Sequence, residues 1–85
     1  MNSKQRRTLK AVFIEPVNKG TIAWADIERL LLALGAETIE GSGSRVRFEK
    51  DGASASFHRP HPEKEAKRYQ VKLVREFLIK IGVQP

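Results

Sequence analysis

Residues 44–58 have the sequence SRVRFEKDGASASFH, in which two alternating segments flank the pair Asp51-Gly52. An Asp-Gly pair favours a two-residue type I′ turn, because both central residues of that turn have positive φ. Alternation of apolar and polar residues is typical of strands with one buried face. The segment therefore predicts a β-hairpin, with one strand over 44–50 and the next over 53–58.

The two-residue turn also determines which residues of the hairpin lie opposite each other. The predicted pairs run from 50–53 at the turn to 45–58 at the open end. One side of the hairpin is then apolar and carries Val46, Phe48, Ala55 and Phe57. The other side is polar, and on it Arg47 lies opposite Ser56 and Arg45 lies opposite His58.

The segments around the hairpin predict three helices and one more strand. Apolar residues at helical spacing favour helices over about 3–13, 23–34 and 69–81, with Ser3 as the candidate N-cap of the first helix. Pro16 is expected to stop that first helix, and residues 18–20 (NKG) to form a turn.

The predicted elements define the fold class. Residues 36–40 form a short candidate strand, which the loop 41–43 connects to the hairpin. We expect an α+β fold, in which a three-stranded antiparallel sheet carries helices on one face in the order αβββα. The first helix is an addition to that order, so the expected organisation is an N-terminal extension over 1–22 and an αβββα domain over 23–85, forming one compact domain.

The composition excludes several classes of protein. A chain of 85 residues has room for a single domain. The absence of cysteine excludes a disulfide scaffold, a thiol nucleophile and a Cys-ligated zinc site. The net charge of +6 indicates a polyanionic partner, either nucleic acid or an acidic protein. No signal sequence or membrane-spanning run is visible, so we expect a cytoplasmic protein with no membrane partner.

Four short segments, in this order and spacing, resemble the HicA toxin family: residues 34–36 (LGA), 43–48 (GSRVRF), 59–62 (RPHP) and 79–83 (IKIGV). The resemblance covers residues 23–83. It implies a small bacterial mRNA interferase, which is an endoribonuclease with a fold like that of double-stranded-RNA-binding domains. It also implies two partners, an mRNA substrate and a HicB-like antitoxin that neutralises the toxin. No cofactor is expected.

One position departs from the family pattern. HicA proteins usually have Gly-Ser-His at the start of the second strand, and that histidine is catalytic. Here Gly43-Ser44 is followed by Arg45. A guanidinium stays protonated, so Arg45 cannot serve as the base. The chain could therefore also be a non-catalytic RNA-binding or protein-docking domain of the same fold.

Metal-free RNA cleavage requires a base for the 2′-hydroxyl, a cation for the phosphorane and an acid for the leaving oxygen. His58 and His61 are the two candidate bases. His58 lies opposite Arg45 in the predicted register, whereas His61 matches the second family element, and the sequence does not decide between them. Arg45 and Arg47 are the candidate phosphate clamp. A solvated His58–Arg45 surface pair is the alternative, and a His58–His61 metal pair would lack a third ligand.

The remaining candidate residues are polar or basic groups that could follow an RNA backbone. The Gly-Ser loop at 41–44 either binds a phosphate through its backbone N–H groups or is a plain hairpin loop. The predicted RNA-binding residues are Ser44, Arg45, Arg47, Arg59, Lys67, Arg68 and Lys72. Exposed aromatic residues for base stacking are scarce, so the sequence favours recognition of the phosphate backbone over recognition of particular bases.

Overall fold

The computed structural model describes residues 1–14 and 22–85. The described residues form, in chain order, α1 (Ser3–Val12), α2 (Trp24–Ala33), β1 (Glu37–Glu40), β2 (Arg45–Lys50), β3 (Ala53–His58) and α3 (Arg68–Lys80). The predicted α+β class with an extra N-terminal helix is confirmed, and element boundaries differ from the prediction by about one residue. The predicted break at Pro16 and the turn over 18–20 lie outside the described residues.

The hairpin has the predicted turn and the predicted register. Asp51 and Gly52 have φ values of 51° and 82°, the two positive values that a type I′ turn requires. Pairing runs from Lys50 opposite Ala53 to Arg45 opposite His58 without a bulge. The strand β1 pairs antiparallel with β2 on its other edge, which gives the strand order β1-β2-β3.

Helices cover the apolar side of this sheet. Val46, Phe48 and Phe57 have exposed fractions of 2%, 0% and 5% and join the core formed by the three helices. The ring of Trp24 from α2 lies edge-on to Phe57, with the ring centroids 5.0 Å apart. Such aromatic pairs add to the stabilisation that burial alone provides. We call this side of the sheet the covered face.

The other side of the sheet is exposed. The residues of the hairpin that alternate with the buried ones are Arg45, Arg47, Glu49, Ser54, Ser56 and His58; Glu49 is half-buried and the other five are exposed to solvent. Because side chains in a strand alternate between faces, these six share one surface. We call this surface the open face; its composition confirms the predicted separation of apolar and polar sides.

The first helix is capped by a different residue from the one predicted. Asn2, rather than Ser3, is the N-cap, and its side chain accepts a hydrogen bond of 2.8 Å from the backbone N–H of Gln5. The Gln5 side chain in turn accepts one of 3.0 Å from the Asn2 backbone N–H, which completes a capping box. The apolar residues Leu9 and Val12 bury α1 against α2 and α3.

Candidate functional site

The site begins where β2 and β3 diverge. Arg45 and His58 are directly opposite each other in the register, so their side chains share the open face. The hydroxyl Oγ of Ser44 lies 3.3 Å from Nδ1 of His58. One residue beyond the end of β3, the backbone N–H of Arg59 donates to the Ser44 carbonyl at 2.9 Å, which continues the pairing of the two strands. The backbone ladder therefore fixes the distance between Ser44 and His58.

A shallow concavity of about 410 Å³ lies over this end of the sheet. The polar side chains of the open face that line it come from β2 and β3: Arg45, Arg47, Ser56 and His58. Ile39 supplies an apolar patch in its floor. The concavity is open to solvent and combines an imidazole with two guanidinium groups, a combination suited to a phosphate ester.

The charges on the open face are unevenly distributed. Arg47 Nε lies 2.9 Å from a carboxylate oxygen of Glu49, which is further along β2 toward the turn. Arg45 makes no side-chain hydrogen bond or ion pair with any residue of 1–14 or 22–85, and its guanidinium is exposed. An exposed pair such as Arg47–Glu49 is weak and exchangeable. Both arginines are therefore available to an anionic ligand.

Gly41 allows the loop before β2 to close tightly on Arg45. Its N–H donates to the Arg45 carbonyl at 3.0 Å. A Cβ at position 41 would lie 2.8 Å from the Cβ of Arg45, which is too close for two carbon atoms. The Gly-Ser loop is thus a tight hairpin connection whose geometry sets where Arg45 begins β2. Binding of phosphate by its N–H groups stays a prediction.

A buried glutamine supports His58 from the covered face, and the sequence analysis did not identify it. Gln70 on α3 has an exposed fraction of 1%. Its Nε2 donates to the backbone carbonyl of His58 at 2.8 Å, and its Oε1 accepts from the Lys67 N–H at 2.9 Å. This amide joins the end of β3 to the start of α3. The sequence did contain a signal: Gln70 is a polar residue at a position where the helical spacing of α3 otherwise places apolar residues.

Arg59 forms an ion-pair network on the side of the sheet away from the open face. Its guanidinium donates to both carboxylate oxygens of Glu28 on α2, at 2.7 and 3.1 Å, and to both of Glu40 on β1, at 2.7 and 2.9 Å. The indole N–H of Trp24 also donates to Glu28. The Arg59 hydrogen bond lowers the pKa of Glu40, and the two carboxylates raise the pKa of Arg59. These contacts give Arg59 a structural role, and its predicted contact with RNA is not tested by them.

A family model described as HicA toxin of bacterial toxin-antitoxin matches residues 24–83. That region includes the whole sheet, α2, α3 and every residue of the concavity. The chain belongs to the HicA toxin family. Neither the comparison with curated proteins nor the comparison with solved structures finds a match.

Membership of the HicA family confirms the resemblance seen in the sequence and implies a toxin–antitoxin system with an antitoxin partner. The resemblance predicts a histidine at position 45, where this HicA chain has Arg45. The register brings an imidazole to the same spot from the neighbouring strand, because His58 is the residue paired with Arg45. Its role as a base stays a prediction.

The other candidate residues of this HicA chain lie away from the concavity. His61 is exposed in the connection between β3 and α3 and makes no hydrogen bond or ion pair with a described residue. Three of the predicted RNA-binding residues are exposed at or near the start of α3, in the helix layer: Lys67, Arg68 and Lys72. None of the three lines the concavity. Their contact with RNA stays a prediction.

The structure also bears on metal and membrane binding by this HicA chain. Within 1–14 and 22–85, no three His, Asp or Glu side chains are close enough together to hold a metal ion. Across those same ranges, every helix is too short or too polar to span a membrane.

Proposed function

We propose that this chain is a toxin that cleaves mRNA as a metal-independent endoribonuclease and is neutralised by a HicB-like antitoxin. The observation that carries the proposal is the arrangement of Ser44, Arg45 and His58 at the open end of the hairpin. The HicA family match supports the toxin class.

His58 is proposed as the general base. When Nδ1–H of the imidazole donates to the Ser44 hydroxyl, 3.3 Å away, the tautomer leaves Nε2 as an acceptor. Nε2 then takes the proton of an RNA 2′-hydroxyl, and the 2′-oxygen attacks the adjacent phosphorus. Ser44 acts as a positioning residue because its hydroxyl, which can pair with either state of Nδ1, holds the ring in place.

Arg45 and Arg47 are proposed to bind the phosphate. The attack produces a phosphorane whose extra negative charge lies on the non-bridging oxygens, and fixed guanidinium donors stabilise it there. The bond from phosphorus to the 5′-oxygen then breaks. The leaving 5′-oxygen takes up a proton, from the imidazolium or through water, so protons balance over the cycle. The products are a 2′,3′-cyclic phosphate and a 5′-hydroxyl.

The antitoxin partner follows from the same surface. The cationic end of the open face has a wide and shallow shape, which suits a flat protein partner as well as an RNA strand. A HicB-like protein with acidic residues at its contact surface would bind Arg45 and Arg47 and cover His58. Charge complementarity of this kind provides specificity and fast association.

The test is incubation of the purified protein with single-stranded RNA in excess EDTA. We expect cleavage, with cyclic phosphate at the new 3′ ends. A matched RNA with 2′-O-methyl groups removes the nucleophile and should stay intact. Loss of cleavage in EDTA that returns with added metal would contradict the metal-independent mechanism.

A second function is favoured by one observation, namely Arg45 at the position of the usual family histidine. A chain that lost its base could keep the basic surface and bind RNA without cleaving it. In the same experiment, a mobility shift of unmodified RNA without cleavage at any pH between about 5 and 9 would support this non-catalytic function.

A further inference from the structure

The first helix has a charge pattern unlike that of the rest of the chain. It precedes residue 24, where the family match begins. Residues 1–14 contain four cationic side chains and no Asp or Glu, so they carry four of the six net positive charges of the protein. The remaining residues have nearly balanced charge. A helix face that is merely solvated usually has both signs, so this excess calls for an explanation.

Three of the four cations lie together on the exposed side of α1. Arg6, Arg7 and Lys10 are exposed, and their spacings of three and four residues make them neighbours on one helix face. None of the three makes an ion pair with a residue of 1–14 or 22–85, whereas Lys4 lies 3.5 Å from Asp26. We call Arg6, Arg7 and Lys10 the α1 basic face.

Most of this charge does not serve the stability of the helix. Like charges at spacings of three and four residues repel each other. The helix macrodipole favours Lys10, which lies in the last turn, but Arg6 and Arg7 are too far from that end to gain from it. A ligand that supplies negative charge would remove this repulsion, so the pattern indicates an anionic partner.

The α1 basic face is presented on a rigid support. Leu9 and Val12 have exposed fractions of 4% and 0% and fix the helix in the core. At the other end, the guanidinium of Arg75 on α3 donates to the carbonyls of Val12 and Ile14 at 2.9 and 3.0 Å. The apolar side of α1 is therefore already buried in protein and is not available to insert into a lipid surface.

We propose that the α1 basic face is a second RNA-binding surface, which binds the phosphate backbone of an RNA outside the candidate site. The proposal rests on the proposed function in taking RNA as the ligand. Arginine and lysine on a regular helix suit a phosphate chain because they need no particular base sequence. An acidic protein is the competing ligand that the experiment below distinguishes.

The position of α1 determines which RNAs can use this surface. The helix packs on α2 and α3, which cover the side of the sheet opposite the open face. A strand bound at both surfaces must therefore pass around the domain, whose extents are 31 × 30 × 21 Å. At about 3.4 Å per stacked nucleotide, five nucleotides span about 17 Å, which is less than the smallest extent of the domain, whereas about 30 nucleotides are amply long. The second surface should act as a tether for long RNA only.

The experiment measures affinity for fluorescent 2′-O-methyl RNA of about 5 and about 30 nucleotides over a range of salt concentrations. The test variant is Arg6→Gln/Arg7→Gln/Lys10→Gln, which keeps good helix formers in α1. The matched control is Lys50→Gln/Lys64→Gln/Lys80→Gln, which removes the same charge at positions outside both surfaces. Circular dichroism and thermal melts verify that both variants fold. Because the RNA cannot be cleaved, the result does not depend on the nuclease proposal.

We expect the test variant to bind the long RNA about tenfold more weakly than the control does. Its slope of log K against log salt should be smaller by about 2, which corresponds to three lost contacts with a single strand. Binding of the short RNA should be the same for both variants. Equal affinities and slopes on the long RNA would overturn the proposal and leave an acidic protein as the ligand of this face. If the test variant binds long RNA more weakly as expected, but the wild type does not cleave unmodified RNA, the second RNA-binding surface stands and only the nuclease function is contradicted.

Discussion

The two faces of the β2–β3 hairpin are built from alternate residues of the same two strands, and they differ completely in environment. Phe48 is fully buried under the helices, while its neighbour Arg47 is exposed and holds only a weak ion pair. The covered face determines the register, because a slip by one residue would expose Phe48 and bury Arg47. The geometry of the open face is then a consequence of packing on the other side. The comparison teaches that packing of the covered face is enough to bring Arg45 and His58 together, without a direct contact between their side chains.

The largest effect should come from the covered face. Phe48→Ala removes a fully buried aromatic ring and should cost about 3–5 kcal/mol of unfolding free energy. A domain of this size has about 4–13 kcal/mol in total, so the variant loses much or all of its stability. Urea unfolding followed by tryptophan fluorescence measures the loss. Ser56→Ala on the open face is the control and should change stability by less than about 0.5 kcal/mol. Equal losses for the two variants would contradict the assignment of the faces.

For the two arginines of the open face, we expect a large loss of cleavage and little loss of stability. The double variant Arg45→Ala/Arg47→Ala should slow RNA cleavage about 100-fold or more, because it removes the proposed donors to the phosphorane. Its unfolding free energy should change by less than about 1 kcal/mol, since both side chains are exposed. Single-turnover cleavage and urea unfolding provide the two readouts. If the variant unfolds readily, the arginines stabilise the fold. If it cleaves at the normal rate, they do not take part in cleavage.

Gln70 links the two faces, and its effect should be intermediate. Gln70→Ala leaves the His58 carbonyl and the Lys67 N–H without their partners and should cost about 2 kcal/mol. Val74→Ala on the same helix is the matched control, because it also truncates a buried side chain but leaves the hydrogen bond from Gln70 to the His58 carbonyl in place. At a temperature where both variants are folded, we expect cleavage to fall several-fold further for Gln70→Ala, with a change in its pH profile. Equal rates would mean that Gln70 has a structural role only.

The smallest effect concerns the Arg59 network at the edge between the faces. The hydrogen bond from Arg59 lowers the pKa of Glu40, so the ionised carboxylate stabilises the fold at pH values above the usual pKa of a glutamate. This stabilisation is lost as the pH falls through the lowered pKa. Glu40→Gln should therefore lower the melting temperature slightly near pH 7, and the difference from the wild type should shrink below about pH 4. Glu63→Gln, at an exposed site without a described ion pair, is the control. A difference that grows toward acid pH would have the wrong sign.

The hairpin could be predicted in full because its information is local. The pair Asp51-Gly52 specifies the turn, a two-residue turn specifies the register, and the register gave the pairing of Arg45 with His58. The cap of α1 could also have been found locally. Gln5 follows Asn2 at the spacing of a capping box, which favours Asn2 over Ser3 as the N-cap.

The contacts that could not be predicted are those between residues far apart in the chain. Arg59 was assigned to the RNA-binding set as one of several basic residues, and only the fold brings Glu28 and Glu40 to its guanidinium. The same holds for Gln70 and the His58 carbonyl. Charge and periodicity indicate that a side chain is polar or exposed, but they do not identify its partner.

The most direct test of the open face as a nuclease site compares the two histidines, since they are the same residue type three positions apart. Cleavage rates of His58→Ala and His61→Ala should be measured under single-turnover conditions in EDTA. We expect His58→Ala to lose about 10²–10⁴-fold, as for removal of a general base, and His61→Ala to stay within about threefold of the wild type. Full activity of His58→Ala, or an equal loss in both variants, would contradict the account.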